Sequence, residues 1–305
     1  MDDNLLQIQR GERFAFGRNW NAFADLVDEG RVHTATGSLR TALGVEDLAG
    51  RTFLDVGCGS GLFSLAAHRL GARVRSFDAD AEAVESAARL RRTFAPGAAW
   101  TIEQGSILDG GYLAGLGAFD VVYAWGVLHH TGAMWRAFDA SAGLVAPGGV
   151  LFTALYNDQG GESRVWTAVK RRYNRSGPLV RGALIAASAA YIHRSWPLVG
   201  LGRLLTGGSR PASPRARGMS RWHDMLDWVG GYPFEVSKPE QVIARARARG
   251  LDLLYLKTCG GGLGCNEYVL RRPIGSAGAR EGAETAGDLA YLGGPRPQTP
   301  QGHPR

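Results

Sequence analysis

The spacing of apolar and polar positions divides the chain into strands, helices and stretches that follow neither period. An apolar run through Leu54, Asp55 and Val56 stops at Gly57-Cys58-Gly59-Ser60-Gly61 and gives way to the helical pattern Leu62-Phe63-Ser64-Leu65-Ala66-Ala67. A second run, Ala72 to Phe77, predicts a strand ending at Asp78. Further on, Pro239 to Arg249 reads as a helix with proline in its first turn and Gly250 as its stop. Strands follow over Leu251 to Thr258 and Asn266 to Arg271. Residues 1–49 form a predicted helical extension that includes Arg13-Phe14-Ala15-Phe16-Gly17-Arg18-Asn19-Trp20, whose aromatics either close over a bound cofactor or join the core. Between Arg217 and Glu235, turn formers, aromatics and both charge signs mix without period, the character of a binding loop.

The glycine turn carries the first chemistry. Glycines there let the backbone approach a ligand where a Cβ would clash, and the helix that follows presents unpaired N–H groups. Asp78 stands about twenty residues on, where a ribose-binding acid belongs in a nucleotide-binding α/β fold. A bare G-x-G-x-x-G fits NAD equally well; here the spacing is G-x-G-x-G, preceded by Asp55 inside the strand end. This arrangement resembles motif I of class I S-adenosyl-L-methionine (SAM)-dependent methyltransferases, with a plain dinucleotide-binding dehydrogenase as the alternative. The stretch Trp100 to Asp109 is similar to that family's third strand and adenine-flanking loop, with Ser106 where many relatives carry an acid. Phe119 to His130 is similar to the fourth strand, and Leu144 to Phe152 to the following turn and fifth strand. The resemblance implies a Rossmann-like α/β fold, a seven-stranded and mostly parallel sheet whose last pair is antiparallel, with a helical lid inserted. It implies SAM as cofactor and cofactor contacts at Asp55, Gly57, Cys58, Gly59, Gly61, Asp78, Ser106, Ile107 and Trp125.

Five parts are expected: the extension to residue 49, a SAM-binding core over 50–158, a basic lid and substrate loop over 159–238, core completion over 239–272, and a disordered tail over 273–305. At 45% hydrophobic and 21% charged residues the composition is that of a globular protein. Cys58, Cys259 and Cys265 are too few for a disulfide framework, and no spacing of Cys or His predicts a metal site. An acidic start without an apolar signal segment predicts a cytoplasmic protein. Charge is distributed unevenly. Between Ser163 and His223 there are 12 basic residues and no Asp or Glu, against +7 for the whole chain. Such asymmetry points to an anionic partner: a charged substrate, nucleic acid or an acidic membrane surface at the inner face. Pro178 to Leu205 is apolar, yet Arg181, His193, Arg194, Pro197 and Arg203 interrupt it, so it predicts helices that pack as a lid or lie on a surface rather than span.

In a doubly wound sheet, ligands sit outside the carboxyl ends of the parallel strands, which places the glycine turn, Asp78, Ser106 to Leu108, Trp125 to His130 and Tyr156 to Asp158 on one rim. A hydroxyl acceptor needs a base. By resemblance to sugar O-methyltransferases, His129 is expected in that role, oriented by Asp158, with His130 beside it. Together with Phe16 to Trp20, the Tyr156-Asn157-Asp158 triplet and the Gly260 to Glu267 loop, the Arg217 to Glu235 stretch resembles a group of bacterial methyltransferases. That resemblance implies acceptor contacts at Trp20, Tyr156, Asn157, Arg221, Trp222, Asp224, Tyr232, Glu235 and Asn266. The expected function is O- or N-methylation of a small-molecule, sugar or glycan-linked acceptor that is anionic. RNA or peptide methylation and a non-catalytic SAM-binding role are the alternatives, and no RNA-binding module favours nucleic acid.

Overall fold

The computed structural model describes residues 3–192 and 221–274. Three helices, α1 (Asp3–Gln9), α2 (Phe16–Ala24) and α3 (Glu29–Leu43), precede a seven-stranded sheet. Strands β1 (Thr52–Val56), β2 (Arg73–Asp78), β3 (Trp100–Gln104), β4 (Phe119–Trp125) and β5 (Val145–Tyr156) run parallel in the order β3-β2-β1-β4-β5. The sheet continues through β7 (Cys265–Arg271), antiparallel to β5, and ends on β6 (Asp252–Lys257), antiparallel to β7. This is the mostly parallel Rossmann-like sheet expected from the sequence.

Alternation along the strands builds two apolar layers. Phe53, Val74, Val121 and Phe152 face a layer shared with α3, α4 (Leu62–Arg69) and α5 (Ala81–Phe94), through Leu39, Leu65 and Leu90. Their neighbours Leu54, Phe77, Val122 and Leu151 face the opposite layer, closed by Phe138 of α7 (Met134–Gly143) and Val242 of α11 (Pro239–Ala248). A short helix, α6 (Gly110–Ala114), follows β3.

After β5 the chain forms a helical hairpin, α8 (Gly161–Asn174) and α9 (Pro178–Ile192), and re-enters as α10 (Arg221–Gly230). The part of the predicted lid over 193–220, and the predicted tail beyond residue 274, lie outside the described residues. One expectation changes: residues 221–230 are helix, not irregular loop. Tertiary contacts hold this helix in place. Val229 is fully buried, the Asn174 amide donates to Gly230 O at 2.7 Å, and the Lys170 ammonium donates to Trp228 O.

Candidate active site

Strand order reverses between β1 and β4, so the turns after these two strands flank the crevice in which an α/β sheet takes its ligand. Gly57, Gly59 and Gly61 all hold positive φ, at 67°, 53° and 81°. A Cβ on Gly57 would stand 2.5 Å from Val127 Cγ1, and one on Gly59 would stand 3.2 Å from the Trp20 ring. The turn is therefore a backbone cradle that side chains would fill. Asp78 fastens it: one carboxylate oxygen accepts from Gly59 N at 3.0 Å and the other from Asp80 N at 2.9 Å. Burial pushes this carboxyl up to about 6, against the backbone N–H groups that hold it ionised. A nucleotide's ribose hydroxyls fit an acceptor so placed.

The other cofactor candidates divide into contact and support. Asp55 is 2% exposed and accepts from the Ser64 hydroxyl at 2.6 Å, so it ties the strand end to α4. Cys58 is buried, and its thiol is pushed well up by burial and by Asp78 and Asp55, which keeps it protonated and makes it a packing residue. The Ser106 hydroxyl accepts from Leu108 N at 3.2 Å, shaping the loop that carries buried Ile107. Trp125 closes β4 and packs against the first apolar layer. Trp20, expected on the acceptor side, lies over Gly59 instead. Its helix α2 is secured to the cofactor side through Gly17 N, which donates to Asp80 at 2.9 Å.

Beyond the cradle, the ends of β4 and β5 meet α8, α10 and the loop after α10 in a wall of buried polar groups. His129 is fully buried and packs at a tilt on Tyr156, ring centroids 3.9 Å apart and planes at 38°. Its Nδ1 takes the Tyr156 N–H at 3.3 Å, and its Nε2 is buried without a partner. His130 Nδ1 lies 2.7 Å from Pro233 O; a carbonyl only accepts, so the ring donates from Nδ1 and keeps its lone pair on Nε2. Burial first, then His130 and Lys170, hold His129 well below the usual imidazole range. Burial and Lys170 hold His130 down at about 3.

Asp158 does not orient His129. Its carboxylate accepts from Gly160 N at 2.8 Å, forming the turn that leads into α8, and no hydrogen bond joins it to either histidine. The expected pair is thus corrected: a residue just past a strand end bends with its own loop before it can reach back.

Several acceptor candidates hold the wall from behind. The Asn157 amide donates to Gly262 O at 3.3 Å and its oxygen accepts from Asn266 at 3.1 Å, docking the glycine loop between β6 and β7. Glu235 accepts from Met134 N with both oxygens, at 3.1 and 3.0 Å, a carboxylate at the N-terminus of α7. Tyr232 accepts from Phe14 N through its carbonyl and from Arg171 through its hydroxyl. Asp224 is exposed, and the side chains of Arg221 and Trp222 lie outside what the structure describes.

Sequence reading missed the centre of this wall. Lys170, counted among the lid's surface charges, is fully buried, its Nζ 4.6 Å from the Trp228 and Phe234 ring centres and 5.5 Å from that of Tyr156. Burial pushes Lys170 down to about 7 and Asp227 up to about 8. Each works against the other's shift, and the pair is net neutral whether the proton sits on amine or carboxyl. Asn19 of α2 donates to Asp227 at 2.6 Å, so the helix that covers the cradle also reaches the wall. The signal was there: Ser163, Trp166, Lys170 and Tyr173 share one face of α8, and all are buried.

Residues 54–151 match the family model of a methyltransferase domain. The ubiquinone biosynthesis O-methyltransferase of Methylobacterium sp. (strain 4-46) is 33% identical over 118 residues, 39% of this chain and 46% of that protein. The ribosomal protein L11 methyltransferase of Alteromonas mediterranea is 35% identical over 96 residues, 28% of this chain and 33% of that protein. The chain spans less than half the length of these curated relatives. Among solved structures, an O-methyltransferase family protein from Burkholderia thailandensis is similar with a TM-score of 0.52 and 16% identity, over 90% of this chain and 69% of that one. Magnesium protoporphyrin IX methyltransferase from Synechocystis PCC 6803, solved with SAM bound, has a TM-score of 0.51 and 13% identity, over 89% and 98%. Those structural likenesses are of fold, and they cover the sheet and its helices rather than an acceptor. Residues 54–151 thus match a methyltransferase domain, on a sheet whose fold is shared with a methyltransferase solved with SAM bound.

Proposed function

We propose that the protein transfers the methyl group of SAM to an oxygen or nitrogen of a small-molecule acceptor bearing an anionic group. The observation that carries this reading is the cradle itself: three left-handed glycines at the strand-order reversal, with Gly59 N fastened to a carboxylate set for a ribose. SAM, when bound, supplies a methyl group on a sulfonium centre. Gly57 to Gly61 and Asp78 hold and orient it, and Trp20 covers it from water. Pro233 O fixes the His130 ring through Nδ1, so its Nε2 can accept a hydrogen bond from an acceptor hydroxyl and orient it, while a ring held down at about 3 is too weak a base to remove the proton outright. His129, fully buried against Tyr156, supports the end of β5 from within through its bond with Tyr156 N. The exposed arginines of α8, the helix that carries Lys170 into the wall, support an anionic acceptor.

The test begins with cofactor. Calorimetric titration should show SAM and S-adenosylhomocysteine binding, with NAD bound far more weakly. Asp78→Ala should lower SAM affinity by at least about tenfold in a protein that melts like the parent. Unchanged affinity in folded Asp78→Ala, or preference for NAD, overturns the assignment.

A further inference from the structure

We propose that the α8–α9 hairpin is a docking surface for an anionic lipid membrane. On α8 and its C-cap the exposed residues Arg164, Val165, Ala168, Arg171, Arg172 and Arg175 recur at intervals of three and four and form one stripe, opposite the buried Trp166, Lys170 and Tyr173. On α9 only Ser188 is buried. That helix carries a single charged residue, Arg181, yet Leu179 is 90% exposed, and Val180 and Tyr191 are each 39% exposed. Val165 of α8 adds an apolar side chain at 62% exposure within the arginine stripe. Apolar area left in water at this density marks a surface with a partner.

Charge decides which partner. A second copy packed about a twofold axis would set one arginine stripe against another, a like-charge interface. The chain's own residues 193–220 bring five more arginines and no acid, so folding them over the hairpin meets the same repulsion. Nucleic acid pairs with arginines but leaves Leu179 and Val180 in water. A membrane with anionic headgroups takes both at once, the arginines at phosphate level and the apolar residues at the acyl boundary. The helix lies on that surface and does not cross it: α9 has 15 residues, and no helix among the described residues is long and apolar enough to span. The hairpin leaves the sheet directly after Tyr156 to Asp158, so docking would bring the acceptor wall to the membrane.

Full-length protein sedimented with vesicles tests this. It should pellet with phosphatidylcholine vesicles containing about one third phosphatidylglycerol and stay in the supernatant with phosphatidylcholine alone, and raising salt should release it. Arg164→Gln/Arg172→Gln/Arg175→Gln should weaken binding on the order of a hundredfold, since each arginine contributes about fivefold near such a surface. Leu179→Ser/Val180→Ser should weaken it about tenfold at unchanged charge. Both variants alter exposed side chains and should keep the parent's SAM affinity, which shows that they fold. Equal binding to both vesicle types, binding to neither, or parental binding by the triple arginine variant overturns the proposal. So does sedimentation velocity showing a dimer that Leu179→Ser abolishes while the vesicles stay unoccupied.

Discussion

The cofactor cradle and the acceptor wall sit at the same rim of one sheet and are built in opposite ways. The cradle is local: Gly57, Gly59, Gly61 and Asp78 lie within one strand-turn-helix-strand unit, and what they contribute is backbone geometry. The wall is assembled from α2, the turn after β4, the end of β5, α8, α10 and the loop after it, and what it contributes is buried charge. A cradle of this kind tolerates any neighbour that leaves room for main chain. A wall of buried ionisable groups depends on every partner being present, because each group is costly to bury alone.

The largest expected effect follows from that dependence. Lys170→Met keeps most of the side-chain volume but leaves Asp227 enclosed without its cation, and should lower stability by roughly 3 kcal/mol. Asp227→Asn retains a partner for Asn19 and should cost less. If the two act as a pair, the double variant is more stable than the sum of the singles predicts, by about 0.5 to 3 kcal/mol. Urea titration of the four proteins measures this cycle. Additive losses would mean that the aromatic rings around Lys170, not Asp227, carry its burial.

A somewhat smaller effect concerns the histidines. His130 titrates at about 3 in the folded protein against 6.5 in the unfolded chain, and His129 is shifted in the same direction. Below pH 6.5 the unfolded state binds more protons than the native one, so the stability these rings contribute is fully present above that pH and declines as pH falls towards 3. By pH 5 the loss from His130 should reach roughly 2 kcal/mol, with His129 adding to it in the same direction. His130→Asn, which can still donate to Pro233 O, should lose roughly 2 kcal/mol less than the parent between pH 7.5 and 5. An identical acid response in parent and variant would place the titration elsewhere.

How much of this was legible follows the same division. The positions of the strands, the glycine turn and the acid ending β2 are written in short runs whose period or residue type determines them locally, while the sheet's antiparallel finish at β7 followed from the family resemblance. The helix α10 was not legible, since Arg221 to Gly230 was read together with the turn formers on either side of it, and contacts with Asn19, Lys170 and Asn174 from distant segments hold it. Trp20 was read as an acceptor residue because aromatics near a rim fit either ligand, and only the packing of α2 on α5 places it above Gly59. Lys170 was read as surface charge because residue type outweighed helical phase.

Asp158 gives the smallest expected effect and the clearest contrast between a residue that acts on chemistry and one that shapes a turn. Its carboxylate is committed to Gly160 N ahead of α8, and its neighbour Gln159 N donates to the Ser163 hydroxyl at 2.8 Å in the same turn. Asp158→Asn preserves an oxygen for that bond and should leave both stability and turnover near parental. Asp158→Ala removes it and should cost about 1 kcal/mol, with kcat falling no more than a few-fold. Were the carboxylate instead orienting a catalytic histidine, Asp158→Asn would lower kcat by tenfold or more at unchanged SAM affinity, since an amide cannot stabilise an imidazolium. That outcome would move the residue from the turn into the wall, and would require α8 to start differently when the acceptor is bound.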